Sequence, residues 1–289
     1  MQRLEPRVSA LAGGLDVRRV LPQLARRSVG PFVFFDHFGP VDLAADVDSD
    51  VGPHPHIGLA TVTYLFEGRM LHADSLGVRQ EIAPGAVNWM SAGGGVVHSE
   101  RTVEAERGRA RRLHGLQLWA ALPEDLEQSS PSFQHAPASE LAPLEVLGAR
   151  VRVLVGEAFG VRSPVRVASP TLYLDVELPA GAHWPLPALA EELALYSVDA
   201  PLELSGQPLE AQRMAVLDGA VRVRAFAPSR FVVIGGAPLG PRYMWWNFVA
   251  TDRARIERAA QRWEADQFPA IAGEHGRIAM PRYDPRRSS

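Results

Sequence analysis

Two short histidine motifs concentrate the chemistry this sequence offers: His54-Pro55-His56 and His98-Ser99-Glu100. In an extended strand, residues i and i+2 point to the same face. His54 and His56 therefore project together, and so do His98 and Glu100. Imidazole and carboxylate groups are transition-metal ligands. Three imidazoles with one carboxylate suit iron(II), manganese, nickel, copper or cobalt, and they admit zinc. Four protein ligands leave positions for water and substrate only on a metal that exceeds four-coordination, unlike a closed structural zinc site. The competing reading is a set of unrelated core or surface histidines, because a chain with nine histidines in 289 residues produces such spacings by chance.

The surrounding residues predict the elements that would hold these side chains. His56 is followed by Gly58 and by the run Ala60 to Phe66 (ATVTYLF), which ends at Glu67-Gly68. His98 is preceded by the turn signal Pro84-Gly85, the run AVNWM and a glycine triplet at 93–95. The two pairs thus flank a β-meander, and closure of that meander into a small barrel would let both pairs converge inside it. Further short β-rich runs occur at Val151 to Val155, Thr171 to Leu178, Ala220 to Phe226 and Phe231 to Ile234. Many short strands between glycines and prolines predict an all-β sandwich or barrel. One amphipathic helix is expected after Thr251, with Thr251 as N-cap, Asp252 in the first turn, and Ile256, Ala259, Ala260 and Trp263 on one face. Between Leu122 and Glu145 lie Pro123, Pro131, Pro137 and Pro143 among several serines, which excludes a central strand running through them. The expected organisation is a metal-binding domain over 1–121, a linker over 122–145, and a second β domain with the helix over 146–289.

Composition removes several function classes. The chain has no cysteine, hence no disulfide, iron–sulfur cluster or cysteine nucleophile. It also has no lysine, since all 30 basic residues are arginine, so Schiff-base chemistry and a Walker-type phosphate loop are excluded. A net charge of −3 argues against direct nucleic-acid binding. The first residues lack the apolar core of a signal peptide, and no apolar run approaches a membrane span, so a cytoplasmic protein is expected.

Other features read as structural. Asp46-Val47-Asp48-Ser49-Asp50 starts like a calcium loop, but Val51 and Ile57 stand where glycine and glutamate are required, which leaves a solvated acidic loop. Arg107, Arg109, Arg111 and Arg112 form a basic run read as a solvated loop, with an anion or partner contact as the minority alternative. The glycine triplet would let backbone pass close to the metal. Asp36 and His37 have two readings, either orienting a metal-bound imidazole or serving a turn. Trp245 and Trp246 are read as packing residues.

The segments GPFVFFDHFGP (Gly30 to Pro40), HPHIGLATVTYLFEG (His54 to Gly68), HADSLG (His72 to Gly77), PGAVNWMSAGGGVVHSE (Pro84 to Glu100) and LHGLQLW (Leu113 to Trp119) together resemble the pirin family. A weaker match follows in GGAPLGPRYMWWNFV (Gly235 to Val249). The resemblance implies a bicupin: two antiparallel β-barrels facing one another, with one divalent metal, foremost Fe(II), in the N-terminal barrel on His54, His56, His98 and Glu100. Ile57 and Ala60 stand where the family commonly has a basic and an acidic residue. Ala60 cannot ligate, so the carboxylate falls to Glu100. The second half has a cupin-like stretch around His183 but no HxH, and a metal-free C-terminal barrel is expected.

Functionally, the resemblance implies a dioxygenase like quercetin 2,3-dioxygenase, opening a flavonol ring with O₂ and releasing carbon monoxide, with Glu100 as ligand and general base. The small aromatic substrate would meet an apolar cavity made by Ala60 and Val62 on the inner face and Ile57 near the mouth. The alternative is a non-enzymatic, metal-binding regulator that docks to a protein partner. A monomer is expected in either case.

Overall fold

The computed structural model describes residues 1–10 and 15–282 of the chain. Among the described residues it is mostly antiparallel β structure, with one α-helix at Arg253–Glu264, and the class is the cupin-type bicupin. The β-rich runs, where β-branched and aromatic residues are concentrated, coincide to within a residue or overlap with strands Leu59–Glu67, Ala149–Val155, Thr171–Leu178, Val221–Ala225 and Ser229–Gly236.

The chain forms two compact units and passes between them repeatedly. The histidine-bearing unit comprises 9–17, 37–135 and 239–289; the second comprises 1–8, 18–36 and 136–238. This partition differs from the expected division at 1–121, 122–145 and 146–289. The span 122–145 is not a bare linker. Strand Ser132–Ala136 adds to the edge of the long sheet beside Val87–Ser91, and Leu144–Val146 pairs with Ala149–Val155 in the second unit. Its prolines bracket these elements rather than interrupt them, since Pro131 precedes one strand, Pro137 follows it, and Pro143 precedes the next. A ring that cannot donate an N–H is tolerated there.

In the histidine-bearing unit, a four-stranded sheet has the order Val51–His56, Val96–Arg101, Met70–Asp74, Arg79–Ile82. A seven-stranded sheet begins Ser132–Ala136, Val87–Ser91, Leu59–Glu67, Arg111–Ala121. The outer face of the four-stranded sheet, with Ala73 and Val97, packs into a cluster with Ile57, Trp245, Phe248, Ile256, Ala259, Ala260, Trp263 and Phe268. The helix therefore belongs to this unit and not to the C-terminal one, and Ile57 lies in its packing rather than at a site mouth. The helix presents its predicted face, but its N-cap is Asp252, whose carboxylate accepts from the Ala254 amide at 2.9 Å. Thr251 instead donates its amide and hydroxyl to Glu127. That carboxylate is buried and also pairs with Arg242 and Arg255, so it offers Thr251 a partner that sequence proximity does not reveal.

The second unit pairs a seven-stranded sheet (Gln2–Leu4, Met214–Leu217, Glu192–Ser197, Ser229–Gly236, Thr171–Leu178, Ala149–Val155, Leu144–Val146) with a four-stranded one (His183–Leu186, Val221–Ala225, Leu202–Leu204, Gln207–Leu209). Its interior is filled by Leu174, Val176, Trp184, Leu195, Leu202, Phe231 and Val233, among others. His183 is exposed, because the strand alternates and Trp184 and Leu186 take the inward positions.

Candidate metal centre

In the ladder between Val51–His56 and Val96–Arg101, His54 lies opposite His98 and His56 opposite Val96. Directly opposed residues share a face, so the three imidazoles converge on the inner side of the four-stranded sheet. Each can contribute one ring nitrogen to a group in which all such atoms lie within 4.8 Å of one another, and all three side chains are buried. The expected meeting of His54, His56 and His98 is thus present. Glu100 is buried on the same face but stands outside that group. Between His98 and Glu100 the ladder slips, so that Glu100 faces Val51 rather than Gly52. A bulge of this kind re-aims the side chains beside it.

The ring nitrogens are sorted by their partners. His54 donates its Nδ1 hydrogen to the Gly52 carbonyl at 2.8 Å. His56 donates its Nδ1 hydrogen to the Asn247 carbonyl at 3.1 Å. A carbonyl can only accept, so both rings carry their proton on Nδ1 and leave Nε2 bare. The Nε2 atoms of His56 and His98 face each other at 3.1 Å. Ring nitrogens bound at about 2.1 Å on adjacent positions of one ion lie about 3 Å apart, so the donor set fits a transition metal.

Burial dominates the electrostatics. It lowers His54 to about 4, despite the Gly52 hydrogen bond. His56 and His98 also fall well below the ordinary histidine value, first through burial and then through the neighbouring imidazoles. Neutral imidazole is the ligating form, so these rings are ready for a cation near neutral pH. Burial raises Glu100 to about 7.

The wall opposite is polar where apolar lining was expected. The Trp119 ring lies 5.2 Å from the His56 ring, edge-on. Trp119 opposes Thr61, and Gln117 opposes Thr63. Thr61 and Thr63 in turn oppose Met90 and Asn88. The inward face therefore carries Thr61 and Thr63, and Ala60 and Val62 point to the other side. Burial does not set this parity, because every residue from Leu59 to Phe66 is buried, and only the alternating Thr61 and Thr63 mark the inner face. Thr63 donates to Gln117 at 2.8 Å, and His135 meets the Asn88 amide oxygen at 2.7 Å. Asn88, Gln117, Trp119 and His135 were not among the predicted site residues; their signal is the polar residue at every second position of these strands.

Four further expectations resolve structurally. Asp36 pairs with Arg19 at 2.7 Å. His37 stacks on His114 with facing Nε2 atoms 2.8 Å apart. Neither of these partners is one of the three histidines. An imidazole that does meet them is His72, whose Nδ1 lies 3.4 Å from the His98 Nδ1, with Asp74 behind it. The glycine triplet serves close packing: a Cβ at Gly93 would meet the Ser129 carbonyl oxygen at 1.9 Å, and one at Gly95 would meet Phe268 at 2.8 Å. The acidic and basic loops hold each other, with Arg107 on Asp50 and Arg111 on Ser49 and the Val47 carbonyl.

A bicupin with three converging buried imidazoles in one unit defines a cupin-type candidate metalloprotein. The chain belongs to the pirin family. Family profiles described as Pirin and as Pirin C-terminal cupin domain match residues 14–120 and 173–269. A pirin-like protein of Caulobacter vibrioides is 44% identical over 93% of this chain and 95% of its own. A Pseudomonas aeruginosa protein named "Putative quercetin 2,3-dioxygenase" is 36% identical over 91% of this chain and 84% of its own. The crystal structure of a quercetin 2,3-dioxygenase from Acinetobacter baumannii superposes with a TM-score of 0.91 at 35% identity, covering 98% of this chain and 95% of that one.

Proposed function

We propose that this protein is a metal-dependent dioxygenase acting on a flavonol-like aromatic enol, with His54, His56, His98 and Glu100 holding one divalent ion, foremost Fe(II). The observation that carries this reading is the convergence of three buried imidazoles, with the Nε2 atoms of His56 and His98 turned toward each other at 3.1 Å. With the His56 Nε2 bare, that separation suits either a hydrogen on His98 or one cation bound to both nitrogens. The relatives named quercetin 2,3-dioxygenase supply the reaction class.

When bound, the metal supplies Lewis acidity toward a substrate hydroxyl and access to O₂. The protein's own part is positional and protonic. Glu100, raised to about 7 by burial, exchanges a proton readily at neutral pH. Its carboxylate takes the hydroxyl proton of the enol. Trp119 offers an aromatic face beside His56. Thr61, Thr63, Gln117 and Asn88 offer hydrogen bonds to ring hydroxyls, which suits a polyphenol better than a bare hydrocarbon ring.

The test is quercetin consumption with carbon monoxide detection. Apo-protein is loaded anaerobically with Fe(II), Mn(II), Co(II), Ni(II) or Cu(II) and then exposed to O₂. Turnover should require metal and vanish in His56→Ala. Glu100→Gln should retain much of the metal and lose turnover. Stoichiometric metal binding with no turnover of any flavonol would overturn the enzyme reading in favour of a partner-binding role.

A further inference from the structure

We propose that Asp74 and His72 are positioning residues that fix the tautomer of His98, and thereby decide which of its nitrogens faces the metal centre. The inference rests on the reading of His54, His56 and His98 as metal ligands. His54 and His56 each have a backbone carbonyl on Nδ1, which settles their protonation. His98 has no carbonyl there. Its Nδ1 faces the Nδ1 of His72 at 3.4 Å. Of two facing imidazole nitrogens, one must carry the hydrogen, and nothing in the two rings alone chooses which.

Asp74 makes the choice. Its Oδ1 accepts from the amides of Leu76 and Val78 at 2.9 and 3.1 Å. Its Oδ2 faces the Nε2 of His72 at 2.9 Å. A carboxylate accepts only, so His72 carries its proton on Nε2 and presents a bare Nδ1. That Nδ1 accepts from the Nδ1 hydrogen of His98. The Nε2 of His98 is then left as a lone pair toward His56, matching the other two ligands.

The fold holds the relay in place. Asp74 lies opposite His98, and His72 opposite Glu100, in the ladder between Met70–Asp74 and Val96–Arg101. His72 and Asp74 are 7% and 1% exposed, so water does not compete for the contacts. The Phe133 ring stacks on His72 with centroids 4.6 Å apart and 24° between planes, which keeps the imidazole plane from turning. The arrangement is a carboxylate–histidine pair behind a ligand histidine, and such supports typically raise metal affinity 10- to 100-fold.

The experiment has a readout independent of turnover. In ¹⁵N-labelled protein loaded with Zn(II), long-range ¹H–¹⁵N correlation of histidine rings should show His98 protonated on Nδ1 and His72 on Nε2. In Asp74→Asn, Oδ1 still accepts from the turn amides, but the side-chain NH₂ now donates to His72 Nε2. The relay should reverse, placing a proton on the Nε2 of His98. Co(II) affinity, followed by d–d absorption, should fall 10- to 100-fold. His72→Phe, which removes the acceptor and keeps an aromatic ring against Phe133, should lower Co(II) affinity comparably and keeps the test open if Asp74→Asn does not fold. Wild-type Co(II) binding that is lost in His56→Ala but unchanged in both variants would overturn this proposal alone. So would a wild-type spectrum with His98 protonated on Nε2. Absence of Co(II) binding in the wild type, or binding that survives His56→Ala, would instead overturn the metal-centre reading beneath it.

Discussion

The two units share a plan of one seven-stranded and one four-stranded sheet and fill it in opposite ways. In one, Val51–His56 and Val96–Arg101 send His54, His56 and His98 inward. In the other, His183–Leu186 sends Trp184 and Leu186 inward and leaves His183 in solvent. A strand has period 2, so a histidine one position out of phase is on the wrong face. The second unit converts that phase into a continuous apolar core. The first keeps buried polar groups, each of which must find a partner or pay a desolvation cost. The difference teaches that the same sheet plan carries either an apolar core or a cluster of buried polar groups, and that strand phase decides which side chains share the inner face.

The largest test of this contrast is Trp184→Ala. Trp184 is fully buried, and its indole donates to the Val146 carbonyl at 3.0 Å. Truncation should cost about 3–5 kcal/mol in denaturant unfolding and leave Co(II) affinity unchanged. A large loss of metal binding would show that the truncation acts beyond the core around Trp184. Next comes Glu127→Ala, which strands Arg242 and Arg255 beside the docked helix. Breaking such a buried pair should cost about 3 kcal/mol, read by the same unfolding assay. A loss below about 1 kcal/mol would show that water replaces the carboxylate.

Asp252→Ala removes the helix cap and should cost about 1 kcal/mol. Thr251→Ala should leave the helix itself capped, because Thr251 serves Glu127. Equal helix fraying in the two variants, seen by amide exchange from 253 to 256, would contradict that distinction. The smallest effect is the pH response of Glu274. Its hydrogen bond with Arg101 holds its carboxyl below the ordinary 4.5, and the Ser99 hydroxyl adds to this. A depressed folded-state pKa gives stability that is complete above about 4.5 and is lost as pH falls through the lower folded value. Glu274→Gln should therefore flatten the acid limb of the stability–pH curve. An unchanged limb would remove the pair from the account.

Much of the site was legible because it depends on local pattern. HxH and HxE on extended chain place side chains on one face whatever the fold, and resemblance added the ligand assignment. The helix face was legible for the same reason, since Ile256, Ala259, Ala260 and Trp263 follow the helical period. The cap was misplaced by one residue because Thr251 and Asp252 are both capping types, and only the distant Glu127 separates them. Ala60 and Val62 lie on the outer face although apolar lining was expected, because in a fully buried strand only the threonines Thr61 and Thr63 mark the inner side. Asp36 and His37 precede the HPH in sequence, but their partners Arg19 and His114 draw them elsewhere.

Strand phase, the histidine pairs and the apolar face of the helix follow from the sequence, because periods of 2 and 3.6 are properties of a single element. The tertiary structure decided that the helix docks on the histidine-bearing unit, that the Asn247 carbonyl fixes the His56 ring, and that His72 and Asp74 stand behind His98. Those choices join residues up to 191 positions apart. A hydrogen bond's direction depends on which acceptor arrives there, and chain folding, not local pattern, delivers it.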